Sequence, residues 1–281
     1  MSKEVVLLGT AQDGGMPHAG CGCDNCRRAR AAPELRARVV SLGVIDRSSA
    51  RCWLVDATPD FPEQLAALED TAPSCRLAGI LLTHAHIGHY TGLVHLGREV
   101  MNAQRIPVYV SRRMADFVRA NAPWSQLVEH GNIELRTFVA GERLALAEDL
   151  WWRPLGVPHR DEIGDTVAVV VESSRRRLFY CPDIDAWDLW DTDVRAFLEE
   201  VDVALLDGTF FCADELPQRD LSQIPHPFVG DTVARLRGSR CDIAFVHLNH
   251  SNPLHFPGAA LDWLRRQGMD VGHCGQRWSL A

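Results

Sequence analysis

Leu81-Leu82-Thr83-His84-Ala85-His86-Ile87-Gly88-His89-Tyr90-Thr91-Gly92 is the stretch whose reading decides the fold. An apolar, strand-like run over Ala78–Leu82 ends directly in three histidines, His84, His86 and His89, within six residues. Neutral imidazole is a strong ligand for zinc and iron, with bonds of ~2.0–2.1 Å. Residues i and i+2 of a strand share a face, and two histidines one residue apart can also chelate from a turn. A lone histidine here would read as a surface or core residue. Three at this spacing read as a metal site.

Strand-like runs recur on either side, at Val5–Leu8, Cys52–Val55, Val108–Ser111, Val167–Glu172, Arg177–Cys181, Val203–Leu206 and Ile243–His247. Helical patterns lie between several of them: Pro62–Glu69, Gly92–Asn102, Arg112–Ala120, Val194–Val201, Val229–Leu236 and Gly258–Arg266. Strands that are nearly all apolar imply sheets covered on both faces. The mixture of hairpin-like groups with strand–helix alternation predicts two sheets face to face with helices outside. Metal-capable side chains fall where strands end: His84 after Leu82, Asp183 after Cys181, Asp207 after Leu206 and His247 after Val246. Functional loops at one edge of a rigid scaffold are a usual active-site arrangement.

The 281 residues carry no strong internal repeat and no long linker, so one domain over 1–281 is expected, with a Cys-rich loop at about 13–30. Hydrophobic residues at 46% and charged residues at 23% fit a globular chain. A net charge of −8 speaks against a nucleic-acid partner. No apolar run reaches the ~18 residues of a membrane span. The start Met1-Ser2-Lys3-Glu4 is unlike a signal peptide, which leads to a cytoplasmic expectation. Nine cysteines are present, three of them close together as Cys21-Gly22-Cys23-Asp24-Asn25-Cys26. In a reducing compartment that cluster reads as metal binding and the scattered ones as small core residues.

Thr83-His84-Ala85-His86-Ile87-Gly88-His89 resembles the T-H-x-H-x-D-H motif of the metallo-β-lactamase superfamily, with Gly88 in place of the family's Asp. Further landmarks follow in order: Asp56 after an early strand, His159 in Gly156-Val157-Pro158-His159, Asp183 and His247. The resemblance implies the family's α/β fold, a four-layer αββα sandwich. It also implies one metal on His84, His86 and His159, a second on His89 and His247, and Asp183 bridging the two. Gly88 offers the second metal nothing, so that site is expected to be weakened or to keep an open position. Two histidines and one carboxylate are also the ligand set of non-haem iron(II) oxygenases.

Gly9-Thr10-Ala11-Gln12-Asp13-Gly14-Gly15-Met16-Pro17, followed by Cys21, Cys23 and Cys26, resembles two subgroups: the cyclic phosphodiesterase of the phosphonate pathway and pyrroloquinoline quinone biosynthesis protein B. The first implies a structural zinc closed by His250, with His273 and Cys274 as competitors for the fourth place. The second is the closer match in Leu205-Leu206-Asp207-Gly208-Thr209-Phe210 and in His247-Leu248-Asn249-His250-Ser251-Asn252-Pro253, although that group usually degrades the histidine motif, whereas His84, His86 and Asp183 are kept here.

His226, in a Pro-bounded turn, could protonate a leaving group or be a plain loop histidine. Asp13 is read as capping the Gly14-Gly15 turn in preference to orienting a ligand. Asp56 either bonds a metal-bound histidine or ends its strand. Trp151-Trp152 and Phe210-Phe211 are read as core or pocket lining. His18, His95, His130 and His255 are assigned to surface or packing.

The resulting expectation is hydrolysis of a small-molecule ester or phosphodiester by water activated at the metal, with Asp183 and His226 as catalytic groups. The alternative is iron-dependent oxidation or hydroxylation of a small molecule or cofactor precursor. A non-catalytic metabolite carrier is the third reading. One zinc at the cysteines and one or two ions at the histidines (Zn2+, Mn2+ or Fe2+) are expected. The expected partner is a small-molecule substrate, with no nucleic acid and no membrane and with a homodimer left open.

Overall fold

The computed structural model describes residues 3–216, 220 and 223–281; Met1 and Ser2, used in reading the N-terminus, lie outside them. The chain first builds strands β1 (Lys3–Gly9), β2 (Ser41–Asp46), β3 (Arg51–Val55), β4 (Arg76–Leu81), β5 (Ile106–Val110) and β6 (Ile133–Thr137). It then builds β7 (Leu144–Ala147), β8 (Leu150–Gly156), β9 (Val167–Glu172), β10 (Arg177–Cys181), β11 (Val203–Asp207), β12 (Asp242–Val246) and β13 (Asp270–Val271). A last strand, β14 (Arg277–Ser279), returns to pair with β1. The result is two seven-stranded sheets, ordered β14-β1-β2-β3-β4-β5-β6 and β13-β12-β11-β10-β9-β8-β7.

Side-chain alternation stacks these sheets. Val5 and Leu7 face an inner core while Val6 and Leu8 face outward, as the period of two requires. Trp53 and Val55, Val169 and Val171, and Leu178 and Tyr180 meet in that inner core, and their neighbours Leu54, Val170 and Phe179 point out to the helices. The outer layers are helices Phe61–Thr71 and Arg112–Ala120 on one side and Val194–Leu198, Val229–Leu236 and Ala259–Arg266 on the other. This is the expected αββα sandwich. Both faces of every central strand are covered, which is why β2 and β9 are buried along their whole length.

The two halves share a wiring that the sequence does not reveal as a repeat. From β14, and likewise from β7, three antiparallel pairings are followed by three parallel ones. Parallel pairing aligns the C-terminal ends of β3 and β4 in one sheet and of β10, β11 and β12 in the other, so the loops that follow them gather at one edge.

One helix expectation fails. Gly92–Asn102 is not a helix but a 3₁₀ stretch, Thr91–Leu96, followed by turns. Gly92 is pressed on neighbouring backbone, where a Cβ would stand 2.2 Å from the Thr58 carbonyl oxygen, and its N–H bonds to the Ala57 carbonyl. Two glycines within six residues, Gly92 and Gly97, also disfavour a helix. Strands β2, β6, β7, β8, β13 and β14 go beyond the sequence reading. Trp152 lies in the inner core, as the core reading of that pair expects, whereas Trp151 is half-buried on the opposite face under Arg143.

Candidate metal centre

The loop after β4 delivers His84, His86 and His89, the loop after β8 delivers His159, that after β10 delivers Asp183, and that after β12 delivers His247. All six meet. Asp183 is the hub: its Oδ2 lies 3.2 Å from His84 Nε2, 3.6 Å from His89 Nε2 and 3.3 Å from His247 Nε2, and its Oδ1 lies 3.2 Å from His159 Nε2. His86 turns Nδ1 inward, 3.1 Å from His159 Nε2.

The far nitrogens fix the tautomers. His89 Nδ1 meets the Asp56 carboxylate at 2.7 Å, so it must carry the proton. His159 Nδ1 does the same with Asp185 at 2.8 Å. The Thr83 hydroxyl bonds to Asp56, 2.9 Å from Oδ1, and lies 3.0 Å from His84 Nδ1. The Thr209 hydroxyl bonds to Asp207 at 2.7 Å and lies 2.8 Å from His247 Nδ1. Each hydroxyl, having donated to a carboxylate, accepts from an Nδ1–H. His84, His89, His159 and His247 are therefore left with Nε2 lone pairs aimed at a carboxylate. Acceptors facing acceptors need a proton or a metal ion between them. Asp13 Oδ1, His84 Nε2, His89 Nε2, Asp183 Oδ1 and His247 Nε2 are buried atoms with no hydrogen-bond partner, and all five point into this cluster.

The charge state suits a divalent ion. Burial pushes His84 well below the usual imidazole range and His86 down to about 4, so both stay neutral. Burial opposes ionisation of Asp183, but the surrounding histidines outweigh it and hold it well below the ordinary carboxylate value. Burial also disfavours charge on His89, yet Asp56 and Asp13 outweigh it and raise its pKa, so at Nε2 an ion has to displace a proton. Three overlapping groups of donor atoms each lie within 4.8 Å of one another: His84, His86, His159 and Asp183; Asp13, His89, Asp183 and His247; and Asp183, Asp207, His226 and His247. Asp183 belongs to all three, and the first two are the ligand sets of the histidine motif, sharing that one carboxylate.

Asp13 overturns its sequence reading. The turn closes through backbone, Gly15 N–H to Gln12 carbonyl at 2.7 Å, and the Asp13 carboxylate lies 3.2 Å from His89 Nε2 instead. The place left by Gly88 is thus occupied from another part of the chain. The only sequence hint was an acidic residue just before a Gly-Gly turn. Asp56 bonds His89 as expected, from a backbone in the left-handed region (φ 69°); His247 is also left-handed (φ 61°). Strained non-glycine backbone of this kind costs on the order of 1–3 kcal/mol and gathers at functional sites.

His226 flanks the cluster. Its Nδ1 bonds Asp207 at 2.8 Å and lies 3.5 Å from Asp183 Oδ1, and its ring stands 5.6 Å from that of His159. Burial lowers its pKa, but the charges of Asp207 and Asp183 more than offset this and lift it to about 9. Phe210 packs beside it, with ring centres 5.8 Å apart. Of the histidines assigned to packing, His95 stacks on Phe61, His255 bonds the Asn249 carbonyl, and His18 lies against His250.

Cys21, Cys23, Cys26 and His250 form a separate tetrad, with His250 Nδ1 3.6 Å from Cys21 Sγ and 3.5 Å from Cys23 Sγ. Among the described residues neither His273 nor Cys274 joins it; the Cys274 thiol bonds the Leu8 carbonyl. Burial, together with the neighbouring thiols of Cys23 and Cys21, pushes Cys26 up to about 12, a conflict that a cation among the sulfurs would remove.

A cavity of about 850 Å³ lies behind the Asp13 loop, among Met16, Arg38, Asp60, Phe256 and Cys274. It touches Asp13 but none of the cluster histidines, so it is not the approach to the metal centre.

Residues 51–268 match the model of the "Beta-lactamase superfamily domain". Coenzyme PQQ synthesis protein B of Methylobacterium sp. (strain 4-46) is 30% identical, covering 99% of this chain and all of that protein. The protein of that name from Methylococcus capsulatus is 28% identical, covering 89% of this chain and 90% of its own. The solved structure of Zn(2+)-bound PqqB from Methylobacterium extorquens superposes with a TM-score of 0.82 at 22% identity, covering 99% of this chain and all of that one. A diphosphatase of the PhnP family superposes at 0.67 with 20% identity, covering 99% of this chain and 97% of that one. With its fold, its histidine motif and these relatives in agreement, the chain belongs to the β-lactamase superfamily, on the side of the coenzyme PQQ synthesis B proteins.

Proposed function

We propose that this protein is a metal-dependent hydrolase of a small, anionic ester, most simply a phosphodiester. The observation that carries the reading is Asp183, one carboxylate within 3.6 Å of four inward-facing histidines from two ligand sets. Divalent ions bound there supply Lewis acidity and lower the pKa of a coordinated water toward ~7. His84, His86 and His159 would hold one ion, and His89 and His247 would hold the other with Asp183 between them. Asp56, Thr83, Asp185 and Thr209 hold the Nδ1 atoms of His89, His84, His159 and His247, so Nε2 is the nitrogen each ring offers to an ion. His226 keeps its proton at neutral pH through Asp207 and stands beside the cluster, placed to give that proton to a departing alkoxide. Arg160 follows His159, and its charge is close enough to depress the basicity of both His86 and His226. Its Nε is buried without a partner, which suits an anionic substrate group.

The test is turnover of bis(p-nitrophenyl) phosphate by protein loaded with zinc or manganese. Hydrolysis that is lost in His84→Ala is the expected result. Oxygen consumption by iron-loaded protein with no hydrolysis under any metal would overturn the proposal in favour of oxidation.

A further inference from the structure

Position 88 is where the histidine motif departs from the family pattern, and it lies against the N-terminal loop. A Cβ built on Gly88 would stand 2.6 Å from the Cα, the Cγ and the Oδ1 of Asp13. Backbone is among the atoms met, so a side chain at 88 and the loop in its present place exclude each other. The loop brings a carboxylate to that place. Asp13 Oδ1 lies 3.2 Å from His89 Nε2 and 3.5 Å from His247 Nε2, and it is buried with no hydrogen-bond partner. Its position is set by backbone on both sides. Leu248 N–H bonds the Thr10 carbonyl and Gln12 N–H bonds the Leu248 carbonyl, each at 2.9 Å, which lays the loop beside His247. Beyond the turn, Met16 and Ala37 exchange N–H···O bonds at 2.9 and 2.8 Å. Cys21 and Cys23 then meet His250, three residues after His247. The loop is thus tied at two points to the segment that carries the last cluster histidine.

We propose that Asp13 is the carboxylate ligand of the second metal, carried by the N-terminal loop into the place that a side chain at 88 would take, with the Cys21–Cys23–Cys26–His250 tetrad holding that loop on the segment after β12. The proposal rests on the metal-centre reading and is independent of which reaction the centre performs. It accounts for glycine at 88 as the condition for the loop's approach. The second ligand set is then Asp13, His89, Asp183 and His247, with one carboxylate exchanged through space.

The experiment is a metal count by mass spectrometry on full-length protein loaded with zinc and dialysed, read beside the thermal melt. Asp13→Ala is expected to melt cooperatively and to hold one zinc fewer per chain than the parent. Gly88→Ala is expected to lose the same ion, because its methyl group displaces Asp13. Asp13→Ala combined with Gly88→Asp returns a carboxylate to the motif position and is expected to regain the lost ion. A folded Asp13→Ala that keeps the parental count overturns the proposal, and a Gly88→Ala that keeps it does so equally should Asp13→Ala fail to fold. Neither outcome depends on turnover, so a failure of the hydrolase reading would be seen separately.

Discussion

Asp56–Thr83–His89 and Asp207–Thr209–His226 are the same chemical unit built twice, once at the edge of each sheet. In each, a fully buried carboxylate accepts from a threonine N–H (2.8 and 2.9 Å), from that threonine's hydroxyl (2.9 and 2.7 Å) and from a histidine Nδ1–H (2.7 and 2.8 Å). In each, the threonine hydroxyl also meets a second histidine, His84 or His247. The construction differs. Asp56 and Thr83 meet just past the ends of the neighbouring strands β3 and β4, whereas Asp207 closes β11 and Thr209 follows two residues on. The outcome differs more. His89 is wholly buried and turns Nε2 to Asp13 and Asp183, as a ligand does. His226 stands beside the cluster with its paired nitrogen also facing Asp183, as a proton donor to the site does. The same carboxylate–hydroxyl–imidazole unit can fix a ligand or charge an acid. Which it does depends on the ring's place: among the ligand groups for His89, beside them for His226.

Removing the imidazole of the second unit should break that contrast most. His226→Asn is expected to lower kcat by roughly 10²–10⁴-fold with the metal count unchanged; a loss of metal instead would make His226 a ligand. Asp207→Asn sharpens the same point through pH. A pKa lifted to about 9 keeps His226 protonated below that pH, so activity should fall as pH rises through it. Without the Asp207 charge the fall moves to lower pH, which a rate–pH profile reads directly. Arg160→Ala is expected to raise KM for an anionic reporter by about 10–100-fold and leave a neutral ester unaffected, the worth of one hydrogen bond to a charged group. Asp56→Asn acts on the first unit and should weaken metal affinity by about 10–100-fold, measured by competition with a chelating dye. The mildest change is Thr83→Val or Thr209→Val, each expected to cost about 1.5–3 kcal/mol in denaturant melts, because each strips a donor from a buried carboxylate.

Much of this was legible along the chain. The runs leading to His84, Asp183 and His247 are apolar on both faces, and an abrupt change to ligand-type residues marks a strand end without any knowledge of the sheets. The cysteine tetrad was legible for the same reason, since three of its members lie within six residues. His226 was visible but undecided, because nothing local shows that Asp207 waits beneath it. The 92–102 segment misled because its apolar spacing is helical, while Gly92 serves close packing on residues 57–61. The shared wiring of the two halves left no trace in the sequence, since backbone pairing constrains polarity and not identity.

What the sequence determined by itself is therefore the set of short-range facts: the histidine motif, the cysteine cluster and the strand ends that carry them. Those follow from residue type and spacing, which chemistry reads locally. Only the tertiary structure decided the state of the second ligand set. Read in line, Gly88 is a missing carboxylate. Folded, its bare Cα lets Asp13 approach from a loop at the far end of the chain and stand where that carboxylate would be. Metal coordination depends on where an oxygen lies in space, and no spacing rule links residue 13 to residue 88.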